Sequence, residues 1–165
     1  MFNRLSKSEY ACFLALAASL RSEDNGTFCG TAIFDENYRT ISTGMNGFSK
    51  GFKPSEELFL EHNRELKSKY ITHSEINALM CLNGQKPYYA ASNYSPCIFC
   101  TKAIIGSGVK HYFYLKQYLK AGKEPDLEFM EIFNFYGIKY QQLTKENIVN
   151  ILVTLDYCKE FLWRI

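Results

Sequence analysis

Two short segments constrain this fold more than anything else in the chain: His73-Ser74-Glu75 and Pro96-Cys97-Ile98-Phe99-Cys100, with His73 and Cys97 24 positions apart. An imidazole and two thiols so spaced act together only if the chain brings both segments to one point. The apolar spacing says how. Ser74 to Leu82 has helical periodicity, with Ile76, Leu79 and Met80 on one side. Pro96 to Ser107 reads as a second helix, whose first turn puts Cys97 and Cys100 on one face. Pro87 to Ala91 between them reads as a buried strand. The sequence thus demands a helix–strand–helix unit whose two helix N-termini converge, their positive ends favouring thiolates.

Three ligands and one open position are what a catalytic zinc ion requires. His73, Cys97 and Cys100 supply the three. A structural zinc would need a fourth Cys or His, and neither His62 nor His111 has motif spacing to Cys97. A redox C-x-x-C would leave His73, Glu75 and Pro96 unexplained. Zinc lowers the pKa of a bound water to near neutrality, and Glu75 stands where a proton carrier is needed. H-x-E followed by P-C-x-x-C is the pattern of zinc-dependent deaminases of nucleobases.

The rest of the chain frames this unit. Ser6-Lys7-Ser8-Glu9 is a capping box, and Tyr10, Phe13, Leu14, Ala17 and Leu20 predict a helix over 6–22. Phe28 to Phe34 and Arg39 to Gly44 read as strands around a turn at Asp35-Glu36-Asn37, and 44–52 as a glycine-punctuated loop. Pro54 opens a possible short helix towards Lys69. His111 to Leu115 predicts a strand, Asp126 to Tyr136 a helix and Ile138 to Leu143 a last strand, before a final helix capped by Thr144. The order α-β-β-α-β-α-β-α-β-α implies a three-layer α/β/α fold around a mixed five-stranded sheet, with strand pairs joined by helices parallel. No linker or repeat divides residues 1–165, which are expected to form a single domain.

Charge narrows the ligand. With net charge +2 and no basic run, the chain lacks the face that holds a nucleic-acid polymer, so a small molecule is expected. Neither a secretory signal nor an apolar segment near 20 residues is seen, which points to the cytoplasm and away from membranes. In that compartment C-x-x-C reads as a metal site before a disulfide. Cys12, Cys29, Cys81 and Cys158 lie in apolar surroundings and are expected to be buried small hydrophobes. Lys50, Lys53, Arg39 and Lys116 are the cations considered for a phosphate, and none stands out as a site.

The chain resembles the deoxycytidylate (dCMP) deaminases of the cytidine/deoxycytidylate deaminase superfamily. Cys97-Ile98-Phe99-Cys100-Thr101-Lys102-Ala103-Ile104 with Ser107-Gly108-Val109-Lys110 is similar to their P-C-x-x-C-x-K-A-I…S-G-I-K segment. His73-Ser74-Glu75-Ile76-Asn77-Ala78-Leu79 resembles H-A-E-x-N-A-I, and Gly44-Met45-Asn46-Gly47 resembles a G-Y-N-G loop. Arg64 to Tyr70 is similar to the stretch that precedes the histidine. The resemblance implies a cytidine-deaminase-like fold that converts dCMP to dUMP and ammonia for thymidylate synthesis. It implies Zn2+ held by His73, Cys97 and Cys100, proton transfer by Glu75, and Asn46 reaching the nucleotide sugar. It also implies a homo-oligomer, a hexamer in many members, regulated by dCTP and dTTP. Four positions depart from the pattern: Met45 replaces the loop tyrosine, Ser74 an alanine, Asn93 a threonine, and Tyr94 lies beside it, facing the substrate or the core. The additional structural zinc of some phage members has no matching ligand set, so one zinc is expected. Two other readings stand beside this one: another small-molecule cytosine, cytidine or guanine deaminase, or a non-catalytic deaminase-like nucleotide-binding subunit.

Overall fold

A computed structural model describes residues 4–24, 26–49, 51, 68–120 and 124–162. The helix expected from Pro54 falls in 52–67, outside the described residues, as do Lys50, Lys53 and His62.

The first helix, α1 (Lys7–Ser19), opens on the expected box. The Glu9 amide donates to Ser6 Oγ at 3.3 Å, and the Ser6 amide donates to Glu9 Oε2 at 2.7 Å. The helix stops three residues short of the expected end, in a turn through Leu20 and Arg21. Strands β1 (Gly30–Phe34) and β2 (Thr40–Met45) form an antiparallel hairpin. A two-residue ribbon, β3 (Gly47–Phe48) with β4 (Ile71–Thr72), leads into α2 (Ser74–Met80). Then come β5 (Tyr89–Tyr94), α3 (Ile98–Ser107) and β6 (His111–Lys116). A second ribbon, β7 (Leu119–Lys120) with β8 (Glu124–Pro125), precedes α4 (Glu128–Phe135), β9 (Lys139–Gln142) and α5 (Lys145–Leu162).

The main sheet has five strands in the order β2-β1-β5-β6-β9. β5, β6 and β9 run parallel, linked by α3 and α4, whereas β1 pairs antiparallel with both β2 and β5. The sheet is therefore mixed, as expected. Along β1 the side chains alternate between two cores. Ala32 and Phe34 pack with Ala11, Cys12 and Ala15 of α1 and Ile151 of α5. Ile33 packs with Ala78 of α2, Ile104 of α3 and Phe129 and Phe133 of α4. Three layers result, α1/α5, sheet, and α2/α3/α4.

Two glycines set the layer spacing. A Cβ on Gly30 would lie 2.1 Å from the Ala15 carbonyl oxygen, and one on Gly44 would lie 2.4 Å from both the Ser74 oxygen and the Ala78 nitrogen. Only hydrogen at these positions lets α1 and α2 approach opposite faces so closely.

Two expectations need correction. The strand expected at 87–91 runs to Tyr94, because the polar Ser92 and Asn93 are buried and satisfied across the sheet. Cys81 and Cys158 are exposed, not buried. Cys81 caps the end of the short α2, and Cys158 stands on an exposed part of α5. Cys12 is buried and Cys29 half-buried, and all six cysteines are free.

Candidate active site

The site lies at the ends of β2 and β5, where α2 and α3 begin. His73 and Cys97 are the N-cap residues of these helices, both with extended backbone. Their carbonyls accept the first helical bonds, from Asn77 and Thr101, but neither side chain caps its helix. N-caps are usually Ser, Thr, Asp or Asn, and forgoing one costs about 1 kcal/mol. The two side chains turn instead toward each other. His73 Nδ1 lies 3.5 Å from Cys97 Sγ and 3.4 Å from Cys100 Sγ, and the three ligand atoms all lie within 4.8 Å of one another. Tetrahedral zinc with ordinary Zn–S and Zn–N bonds would separate nitrogen from sulfur by ~3.6 Å. The donors are soft and borderline, their number is three, and their spacing fits zinc.

Hydrogen bonding within the cluster and burial shift all three donors. A hydrogen bond from Cys100, aided against burial by His73, holds the Cys97 thiol down at about 4. Cys100 is pushed up by that same bond and by burial. Hydrogen bonding to Cys97 raises His73, against burial and with help from Glu75.

Glu75 sits in the first turn of α2, buried behind the cluster. Burial raises its carboxyl pKa. Ser74 Oγ donates to Glu75 Oε2 at 3.2 Å, and the carboxyl is also within hydrogen-bond reach of Cys100. A buried carboxyl beside a three-donor metal cluster is placed to exchange protons there.

These groups open onto a cavity of about 300 Å³, walled by Asn46, Asn93, Tyr94, Ser95 and Tyr118 among others. Asn46 is buried, and its amide is fully engaged. Its Oδ1 accepts from the Cys29 amide at 2.8 Å and from Ser22 Oγ at 2.5 Å. Its Nδ2 donates to the Thr27 oxygen at 2.8 Å and to Asp24 at 3.4 Å. It thus ties the 22–29 loop to the end of β2. Asn93 splices β5 to the start of β1, accepting from the Gly30 amide at 2.9 Å and donating to the Phe28 oxygen at 2.6 Å. Met45 ends β2, and its carbonyl accepts from Asn77 at 2.7 Å. Cys29 also lines the cavity, but burial pushes its thiol up to about 12. Arg39 and Lys116 are exposed and line no part of it, and His111 stacks on Tyr88 at the opposite end of the sheet. The structure therefore brings His73, Cys97, Glu75 and Asn46 to one cavity, with Cys100 joined to them through the ligand cluster.

Sequence reasoning missed the hydroxyls behind Glu75. Thr31, Ser74, Ser92 and Tyr112 are buried and hydrogen-bonded to one another, though they come from four separate elements. No spacing rule links them.

Comparison with known proteins agrees with this geometry. The model of the cytidine and deoxycytidylate deaminase zinc-binding region matches residues 5–116. Deoxycytidylate deaminase of Mus musculus is 26% identical over 146 residues, 82% of this chain and 79% of that protein. A probable deoxycytidylate deaminase of Drosophila melanogaster is 32% identical over 123 residues, 65% of this chain and 58% of that one. Among solved structures, the dCMP deaminase of cyanophage S-TIM5 in complex with dCMP and dUMP superposes with a TM-score of 0.64. It is 22% identical, and the match covers 83% of this chain and 96% of that one. At that identity the likeness establishes a shared fold.

Proposed function

The chain belongs to the cytidine and deoxycytidylate deaminase zinc-binding family, and from that premise we propose that it hydrolyses dCMP to dUMP and ammonia, supplying dUMP for thymidylate synthesis. One observation carries this reading: a buried Glu75 directly behind a His73–Cys97–Cys100 cluster, at the floor of a cavity large enough for a pyrimidine ring. The relatives named for dCMP supply the substrate.

His73, Cys97 and Cys100 would hold the zinc, which when bound would supply a Lewis acid that makes water reactive near neutral pH. Glu75 takes one proton from the water as its oxygen bonds the ring carbon and delivers it to the ring nitrogen; it then takes the second from the new hydroxyl and passes it to the amino group, which leaves as ammonia as the carbonyl forms. Its raised pKa suits both halves of that task, since the group must be regained as an acid after acting as a base. Asn46 reaches the sugar by yielding its longest hydrogen bond, the one to Asp24. Tyr94 and Tyr118 line the cavity and supply the aromatic faces against which the ring would lie.

The remaining parts of the reading are a single domain over 1–165, a cytoplasmic location, a homo-oligomer of hexameric size, and a response to dCTP and dTTP. Among the described residues no helix is long and apolar enough to cross a membrane. Val149, Leu152 and Val153 stand exposed on α5, which suits association. The test is ammonia release by zinc-loaded protein from dCMP, dCTP, deoxycytidine, cytosine and guanine. Preference for dCMP is expected; turnover of another of these in its place would overturn the substrate, and no turnover of any would favour a binding subunit.

A further inference from the structure

Behind Glu75 runs a chain of buried hydroxyls with no part in holding metal. Tyr112 Oη donates to Ser92 Oγ at 2.6 Å. Ser92 Oγ lies 2.8 Å from Thr31 Oγ1, which lies 2.9 Å from Ser74 Oγ. Ser74 Oγ donates to Glu75 Oε2 at 3.2 Å. Tyr112, Ser92, Thr31 and Ser74 are each at most 2% exposed, and Glu75 is 7% exposed.

The orientation of the bonds follows from the two ends. The phenol donates into Ser92, so the Ser92 proton is free to point onward to Thr31. A carboxylate accepts only, so the Ser74 proton must point at Glu75. Thr31 between them then accepts from Ser92 and donates to Ser74. Ser92, Thr31 and Ser74 each donate once and accept once, and Tyr112 donates at the head of the row, all in the same sense toward Glu75. Bonds aligned this way polarise one another, and the row ends on the one group that carries charge. A threonine in β1 and a serine in β5 are directly opposed in the sheet register, so the middle of the row is fixed by backbone pairing.

We propose that Ser74, Thr31, Ser92 and Tyr112 form a positioning relay that fixes the Glu75 carboxyl in its proton-transferring orientation, with Ser74 as its terminal contact. The proposal rests on the deaminase reading for the role of Glu75. It assigns a purpose to Ser74, which stands where the resembling family carries alanine. Ser74 and Ser92 also line the cavity, whereas Thr31 and Tyr112 do not, so Thr31 tests the relay apart from substrate contact.

Ser74→Ala and the near-isosteric Thr31→Val are compared with the wild-type holoenzyme on dCMP. If the relay orients Glu75, each variant lowers kcat about tenfold, the loss expected for one hydrogen bond to a charged group, with KM and zinc content unchanged. Ser74→Thr, which restores the hydroxyl, regains part of kcat. Thr31→Val leaving kcat intact overturns the relay, and so does an effect confined to KM. A wild type that does not turn over dCMP refutes the deaminase reading instead. The relay is then judged without turnover, by a double-mutant cycle of Ser74→Ala and Tyr112→Phe in urea unfolding. Non-additive losses support a connected row and additive losses refute it.

Discussion

Gly44→Ala tests whether the sheet, through one missing side chain, sets the geometry of the site. Gly44 lies in β2 opposite Thr31, on the face that α2 covers. An added Cβ would sit 2.4 Å from the Ser74 oxygen and the Ala78 nitrogen and 2.9 Å from Ala78 Cα. All three are backbone atoms of α2, so no side chain can swing aside. Ordinary contact begins at 3.4 Å, and the helix must withdraw by about 1 Å. Overpacking of this kind costs ~1–3 kcal/mol. In a chain of this length each kcal/mol lowers Tm by about 2–4 °C. The activity loss should be larger, because the displaced helix carries Ser74 and Glu75 and is capped by His73. A ~1 Å misplacement of a reacting group costs on the order of 100-fold in rate. Calorimetry, zinc content and kcat on dCMP read the three effects separately. Gly44→Ala with Tm and kcat both unchanged would refute the reasoning outright. A lowered Tm with full kcat would show that α2 yields without carrying Glu75 out of place.

Glu75→Gln should retain zinc stoichiometry while turnover falls by about 10²–10⁴-fold; loss of zinc would make Glu75 a ligand. Burial raises the Glu9 carboxyl, but hydrogen bonds from Asn147, the Ser6 amide and Asn150 outweigh it and hold it down at about 2. Its folded pKa is depressed below the ordinary 4.5, so the stability it confers is whole above that value and lost as pH falls toward 2. Glu9→Gln should flatten the stability–pH curve in that window, measured by urea titration, and should cost about 1 kcal/mol or more at neutral pH, because its amide can still accept from the Ser6 amide but sets an NH2 group against the Asn147 and Asn150 donors. At Gly106, inside α3, a Cβ meets nothing within 4 Å. Gly106→Ala should therefore stabilise by ~0.5–1 kcal/mol, and a lower Tm would contradict the described packing. Thiol labelling should modify Cys81 and Cys158 fast and the buried Cys12 only on unfolding.

What could be read in advance was whatever repeats at a fixed local interval. The capping box at Ser6 and the cysteines one turn apart at the start of α3 are of that kind; the buried face of α1 is not, since it is made by Ala11, Cys12, Ala15 and Ser19 while Tyr10 and Leu20 of the expected stripe are exposed. The zinc cluster was legible because its chemistry admits few alternatives to H-x-E with P-C-x-x-C. The end of β5 was not, because Ser92 and Asn93 look like loop residues until β1 lies beside them. Paired with Thr31 and Gly30, they become buried partners in a ladder. Asn46 was visible as a site residue, but the saturation of its amide by Ser22, Asp24, Thr27 and Cys29 depends on a loop about 20 positions away. The hydroxyl row was illegible for the same reason: its members meet only once sheet register and helix placement are both fixed.

The helices that bear the ligand side chains lack side-chain caps. On α1, away from the metal cluster, the N-cap is filled as propensity would have it. On α2 and α3 both N-caps are given over to ligand side chains, and α2 is only seven residues long. A helix so short has little stability of its own. Its place is held instead from the sheet: by Ser42 Oγ donating to the Ala78 oxygen at 2.7 Å, Asn77 donating to the Met45 oxygen at 2.7 Å, Thr31 bonded to Ser74, and the close approach at Gly44. Among the described residues every buried side-chain nitrogen or oxygen has a partner, so this polar scaffolding carries no unmatched group. The precision of the site therefore resides in β1 and β2 more than in the helix that bears Glu75. That is why a change at Gly44 or Thr31, neither of which offers a reactive group, is expected to be felt at the proton-transferring carboxyl.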